Sequence, residues 1–291
     1  MRIATFQHQG RRQVGIVSDD LQSIAPFQWT EARAHLGAQA LIEDHVHGHE
    51  SLALTSAPVP MEQLRLEAPL PLPRRNVFCV GRNYHAHAKE LASSVFKDNT
   101  PKADTWPIVF TKVPESVIGP HDEVRLPGAA VSAQIDYEAE LAVVIGKGGR
   151  NIARADAMSH VFGYTIINDV TARDVQMRHQ QWDLGKSFDT FCPMGPWIVT
   201  ANALDGSDTR VRCWVNGELR QDAQTTDLIF DIPTLIETCS RGITLHPGDV
   251  IATGTAAGVG QGFTPPRYLK GGDVVRIEID GLGVIENRFV D

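Results

Sequence analysis

The sequence predicts a mainly β protein of the α+β class, with a small N-terminal α+β domain over residues 1–70 and a large, mostly β domain over residues 71–291. Three observations carry that expectation. Short β-type runs recur along most of the chain and are separated by Gly- and Asp-rich turns. A run of prolines (Pro58, Pro60, Pro69, Pro71 and Pro73) marks a linker or extended crossing near residue 70. Hydrophobic residues make up 42% of the 291 and charged residues 21%, the balance of a globular chain rather than a disordered one.

Taken in order, Ile3–Phe6 and Val14–Val17 read as strands joined by a turn at Gln9, Gly10 and Arg11. Trp29–Ala53 reads as helix, with Ala32, Ala34, Leu36, Leu41 and Ile42 as its apolar members. Beyond the prolines, strands are expected at Asn76–Val80, Ile108–Lys112, Ala139–Ile145, His160–Asn168, Trp197–Thr200, Val211–Val215, Val250–Thr253 and Val274–Ile279. Asn216-Gly217 and Asp280-Gly281 suit two-residue hairpins. Pro233–Ser240 is the clearest helix, with proline in its first turn and Gly242 just beyond its end. Ser93–Trp106 is polar and suits a mobile lid over a site.

The formal net charge is −8, and no block of five Lys/Arg residues occurs. Nucleic acid and polybasic membrane contact are therefore not expected. No apolar run approaches the ~20 residues that cross a bilayer, and the start lacks the pattern of a signal peptide. The four cysteines (Cys79, Cys192, Cys213 and Cys239) form no CxxC pair and read as buried thiols of a cytoplasmic protein. Cys192 has no evident base beside it, which weakens a nucleophilic role. Gly185-Lys186-Ser187 ends like a phosphate-binding loop, but Gln180 stands where that loop needs glycine.

The chemistry concentrates in Ile135–Ile145. On a strand, Asp136, Glu138 and Glu140 share one face and run into an apolar segment. Carboxylates crowded in a dry place repel one another, and a hard divalent cation relieves the conflict. A solvated strand edge is the alternative. Asp169, at the end of another apolar run, could add a third carboxylate. Arg173, four residues on, could grip a substrate carboxylate or make an ordinary ion pair with Asp169 or Asp174. His87 and Glu90 share a helix face and could form a general base with its orienting acid, or a surface ion pair. On a strand, His85 and His87 would instead form a metal-binding HxH pair.

These segments together resemble the fumarylacetoacetate hydrolase family. The similarity runs from about Asn76 to the C-terminus, through GRNYHAHAKEL, PIVFTKVPESVIGP, DYEAELAVVIGK, FGYTIINDVTARD, LGKSFDTFCPMGPWIV, VNGELRQ, ITLHPGDVIATGT and GVG. It implies a mixed β-roll core and Mg²⁺ or Mn²⁺ held by Glu138, Glu140 and Asp169. It also implies catalytic roles for His87, Glu90 and Lys186, and substrate contacts from Arg173, Gln176 and Thr255. Asp136 matches no ligand of the family, and Ala256 stands where many members have proline. The implied activity is cleavage of a carbon–carbon bond in a 1,3-dicarbonyl 2-oxo acid of the acylpyruvate type. The alternatives are isomerisation or decarboxylation of hydroxymuconate-type diacids, hydrolysis of diketo-deoxy sugar acids, and ligand binding without turnover. The implied partners are a small anionic 2-oxo acid and a second copy of the chain in a homodimer.

Overall fold

Asn216 and Gly217 both take positive φ, 51° and 81°, which gives the primed turn that matches the twist of paired strands. Gln9 and Gly10 do the same at 50° and 76°. These turns set the local register of a mainly β fold. The computed structural model describes residues 1–47, 53–55, 57–92, 106–178 and 181–291, so residues 93–105 of the expected lid lie outside the described residues.

The larger sheet runs, strand by strand, Val59–Pro60, Ser23–Pro26, Arg11–Val17, Arg2–His8, Cys192–Thr200, Val161–Asn168, Ala139–Ile145, Val250–Ala252, Val77–Gly81 and Ile108–Lys112. Neighbours along it pair antiparallel, except Val250–Ala252 with Val77–Gly81, which pair parallel. The sheet is therefore mixed. A second sheet holds Glu218–Gln224, Arg210–Val215, Val274–Ile279, Gly283–Val290 and Val124–Arg125. The N-terminal strands extend the larger sheet, with Arg2 opposite Val199 and Ile3 opposite Ile198.

The helix expected over Trp29–Ala53 is divided into α1 (Glu31–Ala34) and α2 (Gln39–His47). Gly37 lies between them at φ +63°, in the left-handed region that ends a helix at little cost when no Cβ is present. Helix α3 (His85–Ala92) follows the strand Val77–Gly81. Helices α4 (Arg173–Arg178) and α5 (Asp183–Lys186) are short and pack on each other. Helix α6 (Ile232–Ser240) starts at Asp231, whose side chain accepts from Thr234 N–H, a cap of about 1 kcal/mol. The strand expected at Trp197–Thr200 begins earlier, at Cys192.

Every residue of Ala139–Ile145 and of Cys192–Thr200 is buried. Apolar runs covered on both faces read as continuous hydrophobic sequence. Each buried Leu, Ile or Val there contributes about 1.5–3 kcal/mol of transfer free energy. The result is a stiff central platform, and the carboxylates sit at its rim.

Candidate active site

Pairing places Ala139 opposite Asn168, so the residues flanking these two strands meet. Asp169 N–H donates to Glu138 O (2.9 Å), and Glu138 N–H donates to Asn168 Oδ1 (3.1 Å). The carboxylates of Glu138, Glu140 and Asp169 converge, with one oxygen of each within 4.8 Å of the others, and all three are buried. A solvated strand edge is thereby excluded. Glu140 Oε2 accepts from Gly254 N–H at 2.8 Å. Gly254 has φ +104°, and a Cβ there would lie 2.8 Å from Asn83 Cβ, so this close approach requires glycine. Asn83 anchors the same corner by donating to Thr253 O (2.8 Å) and Phe230 O (3.0 Å).

Lys186, at the end of α5, donates from Nζ to Glu138 Oε2 (2.8 Å) and Asp169 Oδ2 (2.6 Å). Lys112 was not singled out by the sequence. It ends the strand Ile108–Lys112, is fully buried, and donates to Asp169 Oδ1 (2.7 Å), Val170 O (3.0 Å) and Lys186 O. Burial opposes the charge on Lys186, but Asp169 and Glu138 outweigh it and raise the ammonium above its ordinary range. Burial likewise opposes ionisation of Glu138, and Lys186 with Arg173 hold that carboxyl below the usual range. Glu140 goes the other way. Burial, then the charges of Asp169 and Glu138, push it well above.

That contrast tests the fit of a metal. Three oxygen donors suit Mg²⁺ or Mn²⁺, and without a cation Glu140 is driven to hold a proton. Asp136, Glu138 and Asp169 balance Lys112, Lys186 and Arg173, so an ionised Glu140 is the one charge of this group without a counter-charge. A divalent ion would supply that counter-charge. The residues fit the ion.

On α3, His87 is buried and its Nδ1 lies 3.0 Å from Glu90 Oε2. With Nδ1–H donating to the carboxylate, Nε2 is left as the basic nitrogen. Glu90 Oε1 accepts from Gly258 N–H at 3.0 Å. His85 is exposed on the opposite side of the helix, so no HxH pair forms.

Arg173 and Gln176 project together from α4, and both are buried. Arg173 meets Asp136 and Glu138, whereas Asp174 accepts from Ser132. Thr255 Oγ1 donates to Ala139 O (3.0 Å) and accepts from Gln221 (2.7 Å), so its hydroxyl proton is committed to the protein. His87, Glu138, Glu140, Arg173, Gln176, Lys186 and Thr255 line one pocket, with Phe110 and Trp182 as its aromatic wall. The open space is about 20 Å³, room for a single water.

The family described as fumarylacetoacetate (FAA) hydrolase C-terminal matches residues 76–290. The chain belongs to the fumarylacetoacetate hydrolase family. It is 43% identical to the oxaloacetate tautomerase YisK of Bacillus subtilis over 99% of this chain and 100% of that one. A fumarylacetoacetate hydrolase from the psychrophile Exiguobacterium antarcticum superposes with TM-score 0.85 at 41% identity, covering 100% of this chain and 99% of that chain. A 5-carboxymethyl-2-hydroxymuconate delta-isomerase from Mycobacterium smegmatis superposes with TM-score 0.80 at 34% identity, with the same coverage.

Proposed function

We propose that this chain is a divalent-metal-dependent tautomerase of a small 2-oxo dicarboxylic acid of the oxaloacetate type. The full-length likeness to YisK supports tautomerisation over the carbon–carbon hydrolysis implied by the motifs alone. The observation that carries the chemistry is the shared pocket of His87, backed by Glu90, with the buried carboxylate–lysine cluster. Keto–enol interconversion needs a base that moves a proton at carbon and an electrophile beside the oxygen, and the pocket offers both.

Glu138, Glu140 and Asp169 would hold Mg²⁺ or Mn²⁺, which when bound supplies Lewis-acid polarisation of the 2-oxo and carboxylate oxygens. Arg173 binds and orients the substrate carboxylate through its planar donor edge. His87 Nε2 takes a proton from C3 of the keto form, and the imidazolium, fixed and stabilised by Glu90, gives that proton back to the enolate, at the 2-oxo oxygen to make the enol or at C3 to restore the keto form. Lys186 supports the negative charge that develops on the 2-oxo oxygen. No carbon–carbon bond is broken, and the buried pocket keeps bulk water from the enol.

The discriminating experiment is a substrate panel. Loss of enol absorbance with oxaloacetate, without pyruvate release from acylpyruvates, supports the tautomerase. Metal-dependent pyruvate release from acylpyruvates with no effect on the enol would replace it with the hydrolase.

A further inference from the structure

Asp136 shares the strand pattern of the metal cluster but not its contacts. It is fully buried. Its Oδ1 accepts from Tyr137 N–H (2.9 Å) and Gly260 N–H (2.6 Å), and its Oδ2 accepts from Gln261 N–H (2.9 Å) and Arg173 Nε–H (2.9 Å). All four bonds are short and directed, and no oxygen is left facing the cluster. On the other side of the guanidinium, Arg173 Nη1 donates to Gln176 Oε1 at 3.2 Å. Nη2 lies 2.6 Å from Glu138 Oε1. Nη2 is thus paired with the Glu138 carboxylate, and each of the three guanidinium nitrogens has a partner.

A guanidinium carries five N–H donors, two of them on Nη2, so pairing with Glu138 leaves Nη2 a second N–H for a partner in the pocket that Arg173 lines. We propose that Asp136 is a positioning residue: by gripping Nε while Gln176 grips Nη1, it locks the guanidinium plane so that Nη2 faces the pocket and receives a carboxylate oxygen of the substrate. The turn at Gly260–Gly262 is part of the same lock. Its two amides hold Asp136, and a Cβ on Gly260 would lie 2.7 Å from Asp136 Oδ1. Phe263, next in the chain, has the guanidinium groups of Arg220 (4.9 Å) and Arg267 (5.1 Å) over its ring, contacts that hold the end of the turn. Arg173 is thereby pre-oriented before substrate binds, which spares the ordering cost that a free arginine side chain would carry.

The inference rests on the reading that the pocket takes a metal-bound 2-oxo acid, and its test is binding, so that it can fail independently of the reaction assigned. Mn²⁺ affinity and then oxalate affinity of the Mn²⁺-loaded protein are measured by calorimetry for the parent, Asp136→Asn, Arg173→Met and the double variant. Oxalate presents the paired oxygens of a 2-oxo carboxylate. The expected result for Asp136→Asn is Mn²⁺ affinity within about threefold of the parent and oxalate affinity weaker by about 10- to 150-fold, the range of a charged hydrogen bond. In the Arg173→Met background the same change should cost nothing further, because residues acting through one another are not additive. Loss of Mn²⁺ binding would make Asp136 a ligand and overturn the proposal, as would unchanged oxalate affinity or additive losses. Should Asp136→Asn fail to fold, Arg173→Lys keeps the charge but removes the Nε that Asp136 holds. A loss as large as that of Arg173→Met supports orientation as the role, and retained oxalate affinity refutes it. If the parent binds both Mn²⁺ and oxalate yet tautomerises nothing, only the reaction assignment falls.

Discussion

Glu140→Gln should move stability in opposite directions with and without metal. Glu140 is buried beside Asp169 and Glu138, and its carboxyl is pushed well above the ordinary range by burial and by those two charges. An acid whose folded-state pKa is raised costs stability as pH climbs from its unfolded value, ~4.3, toward the folded value. At neutral pH the metal-free parent therefore carries this penalty, and each pH unit of that interval is worth about 1.4 kcal/mol. Glutamine removes the charge and keeps an oxygen for Gly254 N–H. In chelator, the variant should melt higher by roughly 2–4 °C per kcal/mol relieved. At Mg²⁺ a hundredfold above Kd, the parent gains about 2.7 kcal/mol by mass action and the variant gains far less. Thermal melts of both proteins, with chelator and with Mg²⁺, should therefore cross. A variant that melts lower than the parent in chelator, or that gains as much from Mg²⁺, would rule out charge repulsion at Glu140.

His87→Ala should lower kcat by about 10²–10⁴ while leaving Mn²⁺ affinity within a few-fold, read from initial rates and a binding isotherm. A loss of metal binding would instead place the imidazole among the ligands. Lys112→Met strands Asp169 Oδ1, Val170 O and Lys186 O without their buried donor and should cost about 3–5 kcal/mol in a urea melt. Burial pushes the Cys192 and Cys239 thiols up to about 12, and those of Cys79 and Cys213 also rise. All four should resist iodoacetamide in the native state, and Cys192→Ala should keep kcat/KM within about twofold of the parent, since the thiol enters no step. Activity lost in step with alkylation would contradict that.

The acid cluster was legible because carboxylates at period two run into an uninterrupted apolar segment, a pattern with few stable solutions. Asp169 was legible as a polar residue closing a buried strand. Their meeting, however, depends on the register of Ala139 with Asn168, which no local pattern encodes. Arg173 shows the same limit. Its sequence neighbours Asp169 and Asp174 were the natural partners, yet it pairs with Asp136 and Glu138, more than thirty residues away. Lys112 escaped notice because a lysine at a strand end ordinarily carries its charge out to water. Only the convergence of Asp169, Val170 and Lys186 keeps it inside. Glu218–Gln224 was missed for the reverse reason. Its sequence, ELRQDAQ, is mostly exposed at a sheet edge, so it lacks hydrophobic alternation, and its one inward residue in full burial is Gln221, which anchors Thr255.

The most direct measurement is stopped-flow loss of enol absorbance from freshly dissolved oxaloacetate, using metal-stripped protein with Mg²⁺ restored or withheld. The enol should decay faster than in buffer when Mg²⁺ is present, and at the buffer rate when it is withheld or when His87→Ala replaces the parent. Decay at the buffer rate with Mg²⁺ present, or acceleration that survives both chelation and His87→Ala, would contradict that expectation.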